Sequence, residues 1–331
     1  MTARQPLLFP EFAETKHTLK PVNVASVPQR SPFRYPGGKT WFVPVFRDWV
    51  SNHFPRPTVL IEPFAGGGII SLTALFEKLV PKVVMVEIDN EISAVWKTIV
   101  NGDIDWLANR ILSFDLTLET VKEELSQPAQ NDKELAFKTI LKNRTFHGGI
   151  ITDGAGFLKK GENGKGISSR WYPTTLARRL NEMKPVVQGL TFRQENGLDV
   201  ISEFASNPEA IFFIDPPYTA GGKNAGRRLY RHFAIDHEQL FSICKSIKGD
   251  FLMTYDDSEE VKSHARNHGF QMRLVPMKNT HNTTMKELVI GKNLKWMDNF
   301  PQVCEPKAEF YSTADRNLIK KKIEQVRRRG K

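Results

Sequence analysis

The 331-residue sequence has only two cysteines, Cys244 and Cys304, which lie far apart in the chain. This scarcity excludes a disulfide framework and a cysteine-rich metal site. No apolar run approaches the roughly 20 residues that span a bilayer. The N-terminal stretch MTARQPLLFPEF has no signal-type apolar region either. We therefore expect an intracellular protein that binds no metal and contacts no membrane.

Two nucleotide-binding fingerprints are also missing. The sequence contains neither GxGxxG nor GxxxxGK[ST]. A dehydrogenase that binds a nicotinamide dinucleotide is therefore disfavoured.

Positive charge is abundant and concentrated. The net charge is +10, and three segments, 141–184, 220–232 and 314–331, carry +6, +4 and +6, so the rest of the chain is net −6. Clustered Lys and Arg are typical of proteins that contact phosphates. Solvated loops and a basic tail would give the same pattern. Charge alone therefore indicates a polyanion partner without establishing one.

Apolar, β-branched runs alternate with helical patterns along much of the chain. The runs that we interpret as strands are 58–64, 82–88, 210–216, 250–256 and 286–292, with 269–277 forming an antiparallel edge pair with the last of these. The patterns that we interpret as helices between them are 70–80, 90–100 and 236–247. This alternation predicts an α/β fold with a mainly parallel, doubly wound sheet.

The interval 101–188 breaks the alternation. It has helical stretches at 115–126 and 133–144, followed by a basic, aromatic, glycine-rich region from His147 to Tyr172. We predict an inserted subdomain at 101–188 and a catalytic domain at 31–100 and 189–292. Residues 1–30 are expected to form a flexible leader, and 293–331 a basic tail.

Three predicted strands end in residues suited to ligand binding, because ligands of open α/β sheets sit at the carboxyl ends of strands. LIEPFAGGG (60–68) has glycines that permit a tight turn or a close approach of backbone to ligand. MVEID (85–89) places Glu87, or its rival Asp89, where an acid can accept hydrogen bonds from a ribose. Each feature alone is equally typical of an ordinary turn or a surface acid.

The third strand end is FFIDPPY, residues 212–218. Prolines end sheet pairing and stiffen the backbone, so Asp215 and Tyr218 are held at the end of the strand. The carboxylate and a prolyl carbonyl can accept hydrogen bonds from an amino group, and the tyrosine ring can stack on a base. The sequence therefore predicts a site for an exocyclic amine.

The ordered motifs FRYPGGK, EPFAGGG, VEID and DPPY resemble the Dam-like class of DNA adenine-N6 methyltransferases over residues 31–292. The resemblance implies a Rossmann-like, seven-stranded methyltransferase sheet, a mainly helical target-recognition insertion, and S-adenosyl-L-methionine as methyl donor. The catalytic residues that it implies are Asp215, Pro216, Pro217 and Tyr218. The donor-binding residues that it implies are Tyr35, Gly37, Gly38, Lys39, Glu62, Pro63, Phe64, Gly66, Gly68, Glu87, Ile88 and Asp199.

The same resemblance predicts double-stranded DNA as partner, with the target adenine flipped out of the helix. It implies a cytoplasmic protein of a prokaryote or phage, with a restriction endonuclease or defence system as a possible partner. The Asn-Arg segment KNRTFHGGI (142–150) resembles the entrance of the recognition subdomain, whereas 151–173 does not match the GATC-recognising pattern. Candidate DNA contacts are Asn143, Arg144, His147, Lys159, Lys160, Lys165, Arg170, Arg227 and Arg228. The loop Gly221–His232 is expected to close over the flipped base.

Other activities stay open at this point. Ile243 and Val303 precede the two cysteines, whereas cytosine C5 methylation needs a thiolate that follows a proline. Cytosine N4 methylation uses similar amine chemistry, but related enzymes have serine in place of Asp215. Methylation of adenine in RNA and an inactive, nucleic-acid-binding methylase fold are the remaining alternatives.

Overall fold

One seven-stranded sheet organises the computed structural model, which describes residues 27–35, 37–152, 154–161, 164–218, 234–278 and 284–299. The strands are β1 Val59–Glu62, β2 Lys82–Val86, β3 Leu190–Arg193, β4 Ala210–Ile214, β5 Asp250–Asp256, β6 Gln271–Lys278 and β7 Thr284–Gly291. Their spatial order is β3-β2-β1-β4-β5-β7-β6. Strands β1 to β5 are parallel, and β7 runs antiparallel to both β5 and β6. The predicted, mainly parallel seven-stranded sheet is confirmed, as is the antiparallel edge pair.

The α-helices of the described residues lie on both faces of the sheet and in the insertion. They are α1 Val43–Ser51, α2 Ile69–Phe76, α3 Asn90–Val100, α4 Ile104–Ser113, α5 Leu118–Ser126, α6 Asp132–Thr145, α7 Pro173–Met183, α8 Gly197–Phe204, α9 His237–Ser246 and α10 Glu259–Asn267. A short 3-10 helix, Lys39–Phe42, precedes α1.

The order of the strands determines where a site can form. The chain leaves β1 toward β2 and β3, then returns to β4 on the other side of β1. The ends of β1 and β4 are therefore neighbours at the point where the strand order reverses, which is where ligands bind in such sheets.

The central strands are buried on both faces, as expected of parallel strands covered by helices. In β4, Ile211 and Phe213 belong to the apolar cluster that packs under α1 to α3. Their neighbours Phe212 and Ile214 belong to the cluster under α8 to α10. The run AIFFI is uniformly apolar for this reason.

The insertion shares the first of these clusters. Phe137 and Ile140 of α6 and Leu180 of α7 are buried in it together with residues of the sheet. The limits of the insertion and of the catalytic domain stay predictions. Val27, in the predicted leader, and Leu294 and Met297, in the predicted tail, are buried in the same cluster.

Several elements were not predicted. Strand β3 is a four-residue edge strand with only one fully buried position, so its sequence has little apolar signal. Helices α1, α4, α7, α8 and α10 also went unpredicted; in α10 only Val261 and Ala265 are buried. Short elements are specified by tertiary packing more than by their own sequence.

Asn143, near the end of α6, connects the insertion to the segment that precedes the sheet. Its Oδ1 accepts from Arg34 N at 2.8 Å, and its Nδ2 donates to Arg34 O at 2.9 Å and to Gly149 O at 2.8 Å. The adjacent Arg144 donates to the carbonyl of Pro32. Both side chains are almost fully buried, so this connection is part of the core.

Two absences concern the described residues alone. Within them, no helix is both long enough and apolar enough to cross a bilayer. Nor do these residues contain a group of three or more His, Cys, Asp or Glu that could hold a metal ion.

We predict that Asn143→Ala destabilises the fold by about 2–4 kcal/mol, because each buried polar group left without a partner costs roughly 1–3 kcal/mol. Denaturant unfolding followed by tryptophan fluorescence measures this. Asn181→Ala, an exposed change on α7, is the matched control and should stay within about 0.5 kcal/mol. Equal stability of the two variants would show that the connection contributes nothing.

Candidate active site

Asp215 follows β4 and is held by hydrogen bonds from three directions. Its Oδ2 lies 2.9 Å from Lys39 Nζ. Its Oδ1 accepts from the Thr254 hydroxyl at 2.7 Å and from the Tyr218 hydroxyl at 2.8 Å. Thr254 is in this position because β4 and β5 are parallel neighbours with Ile214 opposite Met253, one residue earlier in each strand. The carboxylate is thus fixed at the carboxyl edge of the sheet.

Lys39 lies between two acids. Besides Asp215, its Nζ contacts Glu287 Oε1 at 3.0 Å, and the side chains of Lys39 and Glu287 are only 6% and 5% exposed. Burial by itself lowers the pKa of Lys39, but the negative charges of Asp215 and Glu287 raise it more, so its pKa lies above the ordinary value. The lysine therefore remains charged at any physiological pH. Its predicted contact with the donor stays a prediction; within the protein, Lys39 contacts Asp215, the predicted catalytic acid.

Tyr218 points its hydroxyl into this cluster. The hydroxyl contacts both Asp215 and Glu287, and burial together with these two acids raises the pKa of the phenol well above its ordinary value. The ring stacks on Tyr255, and Lys39 Nζ lies 5.1 Å from its centroid. A base that stacks on Tyr218 has to use the part of the ring that these two residues leave open.

Counting lone pairs shows what Asp215 can still bind. A carboxylate has about four acceptor positions, two on each oxygen. Oδ1 lies within hydrogen-bond distance of two hydroxyls, of which that of Tyr218 has Glu287 as a second partner, and Oδ2 accepts from Lys39 alone among the described residues. One position on Oδ2 is therefore available to a further donor, such as an amino group.

The glycine loop after β1 turns tightly and packs against other parts of the protein. Gly66 and Gly68 have φ values of 46° and 63°, in the left-handed region that favours glycine. A Cβ on Gly66 would lie 2.5 Å from the ring of Tyr35, and one on Gly68 would lie 2.6 Å from Met85 Cε. The need for these glycines thus follows from the turn and its packing. Their contact with the donor stays a prediction.

Glu87 follows β2 and receives two backbone hydrogen bonds. Gly66 N donates to its Oε2 at 3.0 Å and Asp89 N to its Oε1 at 2.9 Å. Burial raises the pKa of Glu87 to about 7. Its rival Asp89 instead caps helix α3, accepting from the backbone N–H groups of Glu91 and Ile92. This arrangement favours Glu87 as the acid that faces a ligand.

The other predicted donor residues lie around the same sheet edge. Ile88, next to Glu87, is 44% exposed, which is unusual for isoleucine. Glu62 is buried and accepts from the backbone N–H of Ser71 at 3.0 Å; burial raises its pKa to about 8. Asp199 is exposed in the first turn of α8.

Close packing joins these elements. A Cβ on Gly197, the first residue of α8, would lie 2.4 Å from Pro63 O and 2.9 Å from the ring of Phe64. The start of α8, with Asp199, therefore lies against the loop after β1.

Tyr35, Gly37 and Gly38 belong to the segment before the 3-10 helix. Gly38 N donates to Tyr35 O at 3.0 Å, and Lys39 Nζ donates to Gly37 O at 3.2 Å. The turn thus connects the tyrosine that covers Gly66 to the lysine that binds Asp215.

The predicted DNA contacts divide into two groups. Asn143 and Arg144 are 1% and 3% exposed and bond to backbone groups inside the protein. Desolvation and neighbouring arginines lower the pKa of Arg144 to about 9. Their assignment as DNA contacts is corrected: the structure gives both residues a structural position.

The remaining candidates are accessible or fall elsewhere. His147, Lys159, Lys160 and Lys165 are exposed, and Arg170 is half-buried. Arg227 and Arg228, like the loop Gly221–His232, lie outside the described residues. Cys244 is buried in the core under α9 and takes no part in the site, as its sequence context predicted.

Sequence reasoning missed Thr254 and Glu287. Both are polar residues inside otherwise apolar strands, DFLMTYD and KELVIG. That interruption was the available signal, because buried polar side chains need partners. The polar residue alone does not show which partner its side chain contacts. The order of the strands in the sheet shows that both residues lie beside Asp215.

The sheet and the residues at its carboxyl edge define an S-adenosylmethionine-dependent methyltransferase. A family model for D12 class N6 adenine-specific DNA methyltransferases matches residues 35–273, and the chain belongs to this family. A comparison with curated protein sequences found no significant match.

Solved structures of other methyltransferases resemble the chain. The rRNA methyltransferase aviRa from Streptomyces viridochromogenes is 11% identical, with 82% of this chain and 93% of that chain covered and a TM-score of 0.39. Precorrin-6y C5,15-methyltransferase from Geobacter metallireducens is 10% identical, with 75% and 84% covered and a TM-score of 0.33. A SAM-dependent methyltransferase from Agrobacterium tumefaciens is 10% identical, with 76% and 60% covered and a TM-score of 0.36. Similarity at this level gives no information about the substrate.

The residues at the edge of the sheet fit the methyl donor that the family uses. The carboxylate of Glu87, held by backbone N–H groups, is an acceptor suited to a ribose diol. Ile88 presents an apolar surface beside it, suited to a purine ring. S-adenosylmethionine is the cofactor of this family, and these two residues are the ones that would hold its nucleoside part.

We predict that donor affinity falls as the pH drops below about 7. Glu87 takes up a proton in that range because its pKa is raised to about 7, and a neutral carboxyl accepts hydrogen bonds less well. In the limit, the dissociation constant rises about tenfold per pH unit. Calorimetric titration with S-adenosylmethionine between pH 6 and pH 8.5 measures this.

Glu87→Gln should bind more weakly and without this pH dependence. Glu62→Gln is the comparison variant, because Glu62, also a predicted donor contact, has a raised pKa, of about 8, but accepts from Ser71 inside the protein. A pH dependence that disappears in the Glu62 variant and persists in the Glu87 variant would contradict the assignment.

Proposed function

We propose that the protein transfers a methyl group from S-adenosylmethionine to N6 of an adenine flipped out of double-stranded DNA, at a specific sequence. The observation that carries the proposal is the Asp215 carboxylate, fixed by Lys39, Thr254 and Tyr218 with one acceptor position left over. Membership of the family supports adenine in DNA as the target class.

Asp215 and the carbonyl of Pro216 each accept one hydrogen of the N6 amino group in this proposal. With both hydrogens held, the nitrogen lone pair is directed away from the acceptors and toward the methyl group. S-adenosylmethionine, when bound, supplies a methyl group that its sulfonium centre already activates. Asp215 therefore acts by orientation and electrostatics, and no covalent intermediate with the protein is needed.

Flipping is part of the proposal because N6 of a paired adenine cannot reach the edge of the sheet from inside a duplex. The open part of the Tyr218 ring provides the stacking surface for the extruded base. An aspartate at position 215 supports adenine over cytosine as the target, since related cytosine enzymes have serine there.

The DNA backbone is proposed to lie along the exposed basic residues of the insertion. Lys159, Lys160 and Lys165 are exposed, as required of phosphate contacts. Each phosphate contact releases counterions from the duplex, so binding of this kind weakens with salt.

We predict that Asp215→Ala lowers methyl transfer by a factor on the order of 10²–10³, the usual effect of removing one such electrostatic contact. Tritiated donor and DNA from a host without adenine methylation serve as substrates. Mass spectrometry of the digested DNA distinguishes N6-methyladenine from N4-methylcytosine. Equal transfer by the variant and the wild type would refute the catalytic role of Asp215.

Glu209→Ala is the matched control, since Glu209 is an exposed acid at the opposite edge of the sheet, bonded to Thr58. It should leave the rate unchanged. Replacing the duplex with structured RNA tests the alternative substrate. Transfer to RNA but not to DNA would overturn the proposal.

We further predict that the triple replacement of Lys159, Lys160 and Lys165 by Ala weakens DNA binding. The salt slope of log Kd should fall by up to about 0.9 for each phosphate that the variant no longer neutralises. Fluorescence anisotropy with labelled duplex between 50 and 200 mM salt, the range over which such binding weakens, measures both.

The charge-matched control is replacement of Lys82, Lys245 and Lys248 by Ala. These are exposed lysines at the amino-terminal edge of the parallel strands, far from Asp215 along the strand direction. An equal loss of affinity in both triple variants would show that only net charge matters and that the insertion forms no interface.

A further inference from the structure

Glu287 is a buried acid in the catalytic cluster that lies outside the family match. It is on β7, fourteen residues beyond the last matched position, 273. Its side chain is 5% exposed, its Oε1 lies 3.0 Å from Lys39 Nζ, and it accepts from the Tyr218 hydroxyl. It therefore contacts two of the three groups that hold Asp215.

Fold stability does not explain an acid at this position. The following residues of β7, Leu288, Val289 and Ile290, are buried and apolar. Taking a carboxylate out of water is costly, and replacing both members of a buried ion pair by apolar residues is often neutral or stabilising. Burial and the charge of Asp215 both disfavour ionisation of Glu287, and Lys39 opposes them. Burying the Glu287 carboxylate therefore costs free energy of folding, and its attraction to Lys39 offsets that cost without adding a net gain.

The effect of Glu287 on Asp215 follows from the number of protons available. The Tyr218 hydroxyl has one proton, so it donates to Asp215 or to Glu287, but not fully to both. When Glu287 accepts it, Asp215 Oδ1 keeps only the bond from Thr254. Glu287 also shares the charge of Lys39, which would otherwise act on Asp215 alone. Both contacts leave Asp215 a better acceptor.

We propose that Glu287 is a positioning residue for methyl transfer: by accepting from Lys39 and Tyr218 it leaves the Asp215 carboxylate free to accept from the amino group of the target base. The proposal rests on the proposed function for its effect on the rate. Its structural part, the contact between Glu287 and the Tyr218 hydroxyl, is independent of that function.

Single-turnover kinetics at saturating DNA and donor test the effect on the rate. Glu287→Gln, which keeps the shape but not the charge, should slow transfer about tenfold or more while the dissociation constants of donor and DNA change less than twofold. Glu287→Leu, measured at a temperature where circular dichroism shows it folded, should be at least as slow. Unchanged transfer in either variant would overturn the proposal.

Glu77→Gln is the matched control. Glu77 is also a partly buried acid shared by two cations, Arg30 at 2.9 Å and Arg47 at 2.7 Å, but it caps α2 outside the site. It should leave the single-turnover rate unchanged. A rate loss equal to that of Glu287→Gln would show that neutralising any such acid has this effect, which overturns the proposal.

The ¹³C NMR chemical shift of Tyr218 at neutral pH, with tyrosine labelled at Cζ and the signal assigned by Tyr218→Phe, tests the contact without any activity. Among the described residues, Asp215, Glu287 and Lys39 are the charged groups that contact this hydroxyl or ring. Burial and the two acids raise the pKa of the phenol, so Tyr218 keeps its proton at this pH and the Cζ shift reports the bond that its hydroxyl donates. Loss of the Glu287 charge should move this signal. An identical Cζ shift in the wild type and in Glu287→Gln would refute the contact.

Failure of the proposed function and failure of the role of Glu287 give different results in these experiments. A wild-type protein that transfers no methyl group, together with a Tyr218 Cζ shift that differs between the wild type and Glu287→Gln, refutes the proposed function and retains the contact. A wild-type protein that is active, with an equally active Glu287→Gln, refutes only the role of Glu287.

Discussion

The ion pair between Lys39 and Asp215 is the contact on which the rest of the site depends. It joins the 3-10 helix Lys39–Phe42, which precedes the sheet in the chain, to the end of β4, and Glu287 joins β7 to the same lysine. A buried charge without its partner typically costs 3–5 kcal/mol, so none of the three can be removed without effect on the other two. The site therefore forms only when the segment before β1, which carries Lys39, and strand β7, which carries Glu287, are both folded against β4. Lys39, 176 positions before Asp215, and Thr254, 39 positions after it, fix the orientation of its carboxylate. They do so as much as the prolines that follow Asp215.

The order of the strands determines which groups lie next to the ion pair between Lys39 and Asp215. Strands β1 and β4 are parallel neighbours, with Ile61 opposite Phe212. The glycine loop after β1 and Asp215 after β4 therefore leave the sheet side by side. The acids at the ends of β1 and β2, Glu62 and Glu87, have raised pKa values because each is desolvated at the same edge. One edge thus combines a fixed acceptor for an amine with an acid and an apolar surface suited to a nucleoside.

The sequence was sufficient for what depends on long apolar runs and ordered motifs. Strands with four or more buried apolar residues, such as AIFFI, were placed correctly, and DPPY fell at the end of the strand that it was predicted to end. Contacts between segments that are distant in the chain could not be predicted from the sequence. Asn143 and Arg144 look like surface recognition residues in sequence because they are polar and lie in a basic segment. Only tertiary packing shows that they bond to the backbone of residues 32–34. Glu287 and Thr254 were missed for the same reason. The partner of an acid or a threonine within an apolar strand cannot be identified until the neighbouring strand is known.

The bonds between Asn143 and the backbone of Arg34 have a practical consequence for protein engineering. Arg34 precedes Tyr35, whose ring lies against the glycine loop after β1, while Asn143 lies within the insertion, near the end of α6. A chimaera that receives a new insertion from a relative therefore receives only half of a shared hydrogen-bonded junction. Grafts should be cut so that residues 32–35 and 143–149 come from the same parent, even though more than a hundred positions separate them in the chain.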